Sequence, residues 1–125
     1  MVNAGVDESM TDRDTLFLLP PGFFDNDRRE YCPECAEIWG LLHYYPALKE
    51  TVEINYQLIA RPREQMIALL GEAHQNCPTL VLREDAPDAP GVTAKRANGR
   101  RFFDNARDIG AYYAEIFGTA FPRGR

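Results

Sequence analysis

The amino-acid sequence predicts a single α/β domain with four strands and about three helices. Three observations support this prediction. Short apolar runs such as residues 15–19 are typical of buried strands. Other segments repeat apolar residues every three or four positions, as amphipathic helices do. Proline and glycine stand at most of the boundaries between these segments. A chain of 125 residues is long enough to bury one hydrophobic core.

Composition and charge exclude several classes of function. A formal net charge of −5 and a pI near 5.0 argue against general binding to nucleic acid or to anionic membranes. No apolar run approaches the roughly 18 residues that span a bilayer, and the first residues lack the pattern of a secretion signal. We therefore expect the reducing cytoplasm, where a Cys-x-x-Cys motif is more often catalytic or metal-binding than structural.

The domain is predicted to span residues 15–118 between two tails. Residues 1–14 are polar and lack periodicity, so we expect a mobile tail, and residues 119–125 form a second tail. Residues 15–19 predict a buried central strand. The connection over residues 20–31 is longer than a usual strand-to-helix loop, and loops of that length are often functional.

The segment Tyr31-Cys32-Pro33-Glu34-Cys35 places two thiols at the start of the first predicted helix. Unpaired N–H groups and the positive end of the macrodipole stabilise a thiolate at such a position. Pro33 suits the first helical turn, and Cys35 lies one turn beyond Cys32, within reach of a reversible disulfide. The pattern predicts dithiol redox chemistry, with half of a zinc site as the alternative.

The following elements alternate between the two periodicities. Helical spacing runs from residue 33 to 45, period-two alternation from 52 to 58, and helical spacing again from 61 to 71. Strand, helix and strand form a βαβ unit, whose strands pair in parallel. Residues 77–82 predict a third strand headed by Pro78.

A basic and proline-rich stretch precedes the last helix. Asn98-Gly99 predicts a hairpin turn with a return strand over residues 100–103. Four basic residues surround this turn: Lys95, Arg96, Arg100 and Arg101. They indicate either a solvated loop or a site for an anionic ligand or partner. Asp104 is the predicted cap of the last helix, which Gly118 ends.

On these motifs and this order of elements, residues 15–117 resemble the thioredoxin superfamily, closest to its glutaredoxin-like branch. More narrowly, LFLLPPGF, YCPECA and CPTLVL are similar to a small bacterial family of thioredoxin-fold proteins of unknown function. The resemblance implies a thioredoxin-like fold, with a four-stranded mixed sheet flanked by about three helices. It also implies a thiol-disulfide oxidoreductase.

The resemblance assigns roles to the motif residues. It makes Cys32 the exposed attacking thiol and Cys35 the resolving thiol. It places Pro78 in cis beside them, with the backbone at Cys77 pairing with substrate, and it includes Tyr31 and Pro33 in the substrate-binding surface. No bound cofactor is implied.

Glutathione is the cosubstrate that the resemblance suggests. The turn before the last helix would hold its γ-glutamyl end, where Asp104 binds an amino group or acts only as a cap. The implied partners are a disulfide-bearing protein or a glutathione mixed disulfide. Phe23 and Phe24 either form a lid over the thiols or pack in the ordinary way.

Two departures from the superfamily pattern keep alternatives open. Glu34 and Glu37 oppose a nearby thiolate and Arg28 and Arg29 favour one, so the sequence does not determine which effect on Cys32 is larger. The other departure is Cys77, which puts a third sulfur beside the pair. Cys32, Cys35 and Cys77, with His74, would suit zinc or an iron-sulfur cluster. A noncatalytic binding module on the same fold is the further alternative.

Overall fold

The computed structural model describes residues 13–124. Eight segments form strands or a 3₁₀ turn: β1 (Asp14–Leu18), β2 (Phe23–Asp25), β3 (Arg28–Glu30), the 3₁₀ turn (Pro46–Thr51), β4 (Val52–Tyr56), β5 (Thr79–Val81), β6 (Lys95–Ala97) and β7 (Arg100–Phe103). Three segments form α-helices: α1 (Pro33–Tyr44), α2 (Glu64–Leu70) and α3 (Ala106–Phe117). The predicted tail over residues 1–12 lies outside the described part, and Asp14, assigned to that tail, is instead the first residue of β1.

One mixed sheet organises the domain, with strands in the order β4-β1-β5-β7-β6. β1 pairs with β4 in parallel, from Asp14 opposite Val52 to Leu18 opposite Tyr56, as a βαβ unit requires. β5 runs antiparallel to β1, with Phe17 opposite Thr79. The carboxyl end of β1 therefore meets the amino end of β5, which brings the residues after β1 close to Cys77 and Pro78.

The prediction of a four-stranded sheet is wrong by one strand. β6 pairs antiparallel with β7, and it lies at the edge of the sheet. The turn between them is the predicted Asn98-Gly99, with positive φ angles of 53° and 75°. The sequence predicts the return strand but not the first arm, because Lys95–Ala97 is short, polar and largely exposed.

The long connection before α1 is also more ordered than predicted. β2 and β3 form a separate two-stranded hairpin, with Phe24 opposite Arg29. Asn26 and Asp27 at its tip have φ angles of 54° and 59°. Both residue types tolerate the left-handed conformation, so this dipeptide carries a turn signal that the sequence analysis did not use.

The core lies between the sheet and the helices. α1 buries Cys35, Ile38 and Leu42, and α3 buries an aromatic face that includes Tyr112 and Tyr113. Burying such apolar side chains is the main stabilising contribution to a domain of this size. No helix within residues 13–124 has the length and apolar character needed to cross a membrane.

Part of the predicted C-terminal tail packs onto the helices. Thr119 is buried, and the Ala120 amide donates a hydrogen bond of 3.2 Å to the Tyr45 hydroxyl. Pro122 lies over Gly110 so closely that a Cβ atom at Gly110 would be 2.9 Å from the Pro122 ring. These contacts make the segment after α3 part of the domain.

Candidate thiol site

Cys32 caps the amino end of α1. Its backbone is extended (φ −83°, ψ 115°), and its sulfur accepts a hydrogen bond of 3.1 Å from the Cys35 amide. Pro33 occupies the first helical turn, where a missing N–H group leaves no hydrogen bond unmade. Cys32 is half-buried, whereas Cys35 and Cys77 are buried. The helix end is thus arranged to stabilise negative charge on this sulfur.

Cys35 lies beneath Cys32 on the buried face of α1. Only 3% of its surface is exposed, and its sulfur accepts a hydrogen bond of 3.4 Å from the Leu19 amide. Burial raises the pKa of the Cys35 thiol, and its hydrogen bond to Cys32 and the charge of Cys32 raise it further. The Leu19 amide acts in the opposite direction. Burial therefore shields the Cys35 thiol more than it shields the half-buried Cys32 thiol.

Cys77 and Pro78 approach the pair from the start of β5. The Cys77–Pro78 peptide bond is cis, as the resemblance implies. The carbonyl oxygen of Cys77 lies 3.8 Å from the Cys32 sulfur. The Cys77 side chain is buried, with its sulfur 3.9 Å from that of Met66. Burial raises the pKa of the Cys77 thiol to about 11, although the charge of Arg63 opposes this.

Glu34, inside the thiol motif, reaches across to the last helix. Its carboxylate accepts a hydrogen bond of 2.9 Å from the Ala106 amide, at the start of α3. The positive end of a helix dipole favours a carboxylate at this position. The Glu34 carboxylate therefore stabilises the amino end of α3, and the contact connects the amino ends of α1 and α3.

Asp104 is held by its neighbours and is not the cap of α3. That cap is Asn105, whose side-chain oxygen accepts a hydrogen bond of 2.8 Å from the Asp108 amide. Asp104 forms an ion pair of 3.0 Å with Lys95, and its backbone carbonyl accepts a bond of 2.7 Å from Asn76. The carboxylate predicted to bind an amino group thus already has a cationic partner within the chain.

The other predicted residues lie around the opening of the site. Tyr31 precedes Cys32 and is 63% exposed, which leaves its ring free for contact with a substrate. Phe23 packs against the core, whereas Phe24 is 68% exposed on β2. Arg28 forms an ion pair of 2.8 Å with Glu30, so its charge is already matched by a carboxylate of the same strand.

Arg63 belongs to the surroundings of the site and was missed by the sequence analysis. It is only 6% exposed, and its guanidinium donates to the carbonyl oxygens of Leu58, Ile59 and Gln75 at 2.6–2.9 Å. Neutral carbonyls do not cancel the positive charge of this buried guanidinium. That charge lowers the pKa of the Cys77 thiol. Its position after a cis proline, Pro62, carried no recognisable signal in the sequence.

The described residues do not assemble the predicted metal site. Within residues 13–124 no group of three or more His, Cys, Asp or Glu side chains is arranged to hold an ion. His74, the proposed fourth ligand, packs its ring against Phe102 with centroids 4.9 Å apart. The metal hypothesis gains no support from these positions.

Comparison with known proteins gives one match. A model of a family described as proteins of unknown function matches residues 13–121, which includes every element from β1 to α3. No curated protein and no solved structure matches the chain.

Proposed function

We propose that this chain, which belongs to the DUF3088 family of proteins of unknown function, is a thiol-disulfide oxidoreductase. The observation that carries the proposal is the pairing of a half-buried thiol with a buried one at the start of a helix. Cys32 caps α1 beside the Cys77 carbonyl, and Cys35 is buried directly beneath it. Thiolates at helix amino ends are the reactive form of cysteine in exchange reactions.

The reaction uses two exchanges. The Cys32 thiolate attacks one sulfur of a substrate disulfide, forms a mixed disulfide and releases the other sulfur as a thiolate. The Cys35 thiolate then attacks the Cys32 sulfur, which forms the Cys32–Cys35 disulfide and releases the second substrate thiolate. Two electrons pass from the protein to the substrate. Glutathione or a protein dithiol then reduces the pair.

The local environment of Cys35 favours this order. Two effects that raise the pKa of Cys35, after burial itself, come from the free sulfur of Cys32. Both disappear when Cys32 enters a mixed disulfide. The hydrogen bond from the Leu19 amide, which lowers the pKa of Cys35, stays in place. Cys35 therefore becomes more acidic at the step in which it must attack.

The proposal includes the fold type, the substrates and the compartment. The order of elements, with Cys-x-x-Cys at α1 and a cis proline heading β5, supports a thioredoxin-like fold. The substrates are a disulfide-bearing protein or a glutathione mixed disulfide. The three free cysteines suit the reducing cytoplasm.

A trapping experiment tests the proposal. The Cys35→Ser variant is mixed with oxidised insulin or with glutathione disulfide, and adducts are identified by mass spectrometry. We expect a stable mixed disulfide at Cys32, because the resolving thiol is absent. The Cys32→Ser variant should form no adduct and should reduce disulfides no faster than buffer.

A third variant serves as the control. The double variant Cys35→Ser/Cys77→Ser should still form the adduct, because the Cys77 thiol lies against Met66 and away from solvent. Adducts at Cys77, or disulfide reduction that persists in folded Cys32→Ser, would reject the assignment of Cys32 as the attacking thiol.

A further inference from the structure

A second concave site lies among the arginines of the β6–β7 hairpin. The cavity has a volume of about 370 Å³. Eight residues line it: Leu82, Arg83, Glu84, Arg96, Asn98, Gly99, Arg100 and Arg101. Four of them carry a guanidinium, which stays protonated at any physiological pH, and only one is acidic. Two of these guanidinium groups have carboxylate partners outside the lining: Arg83 pairs with Asp85 at 2.8 Å and Arg101 with Asp88 at 2.7 Å. The lining nevertheless carries more positive than negative charge, in a chain with a formal net charge of −5.

This cavity is separate from the thiol site. Cys77 and Pro78 precede β5, whereas Leu82, Arg83 and Glu84 follow it. β5 is antiparallel to β1, so the cavity lies toward the amino end of β1 and the thiols lie beyond its carboxyl end. The Arg83 amide confirms this position, since it donates a hydrogen bond of 2.9 Å to the Asp14 carboxylate.

Arg101 forms the fixed part of the cavity wall. Its side chain is only 12% exposed. The guanidinium donates to the Asp88 carboxylate at 2.7 Å and to the carbonyl oxygens of Arg83 and Glu84 at 3.1 Å each. These three bonds hold the planar group in one orientation. Ordering the side chain in advance removes an entropic cost from ligand binding.

Arg96 supplies a further positive charge to the cavity. It stands directly opposite Arg101 in the β6–β7 ladder, and like charges at such positions destabilise a hairpin. Within the described residues Arg96 is exposed and forms no ion pair. The Asp88 carboxylate already offsets part of the Arg101 charge, and an anion beside both guanidinium groups would offset the rest of this repulsion.

From these observations we infer that the arginine cavity binds the phosphate group of a small soluble compound. Planar guanidinium groups match the oxygen pairs of phosphate and bind them through two parallel hydrogen bonds. The volume lies at the lower end of the range for small-molecule sites and leaves room for more than one phosphate group.

Calorimetric titration with inorganic pyrophosphate tests the inference on the full chain. We expect saturable binding at one site per chain. This binding should persist when sodium chloride is used to hold the ionic strength constant throughout the titration. The Arg96→Ala variant should bind about tenfold more weakly, and Arg96→Glu should show no binding. Both substitutions are at an exposed position, and circular dichroism would verify that the variants fold.

Lys49→Glu provides a matched control. Lys49 is exposed and lies just before β4, at the other edge of the sheet. The Lys49→Glu substitution changes the net charge by the same amount as Arg96→Glu. It should therefore leave the affinity for pyrophosphate within about twofold of the original if the cavity is the binding site. Equal weakening in both variants, or heat that sodium chloride alone reproduces, would overturn the inference.

Discussion

At the scale of single residues, the three cysteines differ because their surroundings differ. Cys32 caps the amino end of α1 and is half-buried, while Cys35 and Cys77 are only 3% and 8% exposed. Burial raises the pKa of both of the latter thiols. The spacing in the sequence predicted which cysteines meet. It did not predict that the Cys77 side chain would lie against Met66.

This difference predicts an order of alkylation. In the folded protein at pH 7.5, iodoacetamide should modify Cys32 at least about a hundredfold faster than Cys35 or Cys77, because burial shields the latter two thiols and raises their pKa. Peptide mass spectrometry over a time course measures each site. In 6 M guanidinium chloride the three rates should converge. Comparable rates in the folded protein would contradict the burial described for the two inner thiols.

At the scale of elements, the connections between helices and strands depend on a few side chains. Asn105 caps α3 through the Asp108 amide, Glu34 accepts a hydrogen bond from the Ala106 amide, and Asp104 pairs with Lys95. The sequence predicted a capping residue here but assigned it to Asp104, one position too early. Both residue types cap helices well, so only the backbone conformation distinguishes them.

The cap assignment leads to a stability prediction. Asn105→Ala should lower the free energy of unfolding by about 1 kcal/mol, because it leaves the Asp108 amide without an acceptor. Asp104→Ala is the matched neighbour. It breaks an ion pair whose lysine is 56% exposed, so its effect should be smaller, from about 0 to 1 kcal/mol. Urea unfolding of the two variants measures the difference, and a larger loss for Asp104→Ala would restore the original assignment.

Strands and helices with strong periodicity were predictable, and short polar strands were not. The period-two alternation predicted β4 as a strand, and the helical spacing predicted α1 and α3 as helices. In each case the predicted bounds were close to the observed ones. β2, β3 and β6 have three residues each and place few side chains in the core. Their pairing depends on turn geometry, which the sequence signals only through dipeptides such as Asn26-Asp27.

At the scale of the whole molecule, one buried carboxylate links stability to pH. Asp14 begins the interior strand β1 with 1% exposure, and one of its carboxylate oxygens has no hydrogen-bond partner among the described residues. Burial raises the pKa of Asp14 above its ordinary value of 3.8, although the bond from the Arg83 amide acts against this. The folded protein thus binds this proton more tightly than the unfolded chain does. The stabilisation is complete below pH 3.8 and is lost as pH rises through the folded-state pKa.

Asp14→Asn should therefore stabilise the protein in a pH-dependent manner. The amide retains an oxygen for the Arg83 N–H group and carries no charge to bury. We expect a gain of order 1 kcal/mol at pH 7 that falls toward zero near pH 3. Urea unfolding at both pH values measures it, with the exposed Asp25→Asn as control. A loss of stability at pH 7 would show that the ionised carboxylate is needed.

The residues of the thiol site were more predictable from the sequence than the contacts that hold the surrounding elements together. Cys32, Cys35 and Pro78 are marked by a motif or by a proline at a strand start, so their meeting follows from the element order. Arg63, the Glu34–Ala106 contact and the packing of Pro122 on Gly110 join distant parts of the chain. Such contacts depend on the final packing of side chains, for which a single sequence carries no local pattern.

The short strand β6 covers the edge of β7 and so keeps that edge from pairing with another molecule. Without it, β7 would present a row of unpaired backbone N–H and C=O groups, and such an open border recruits strands from neighbouring molecules. β6 satisfies those groups and gives the border only three residues, two of which are Lys95 and Arg96. Lys95 is paired with Asp104, but mutual repulsion between the exposed Arg96 side chains of two copies disfavours edge-to-edge pairing of their sheets, so this hairpin also opposes aggregation.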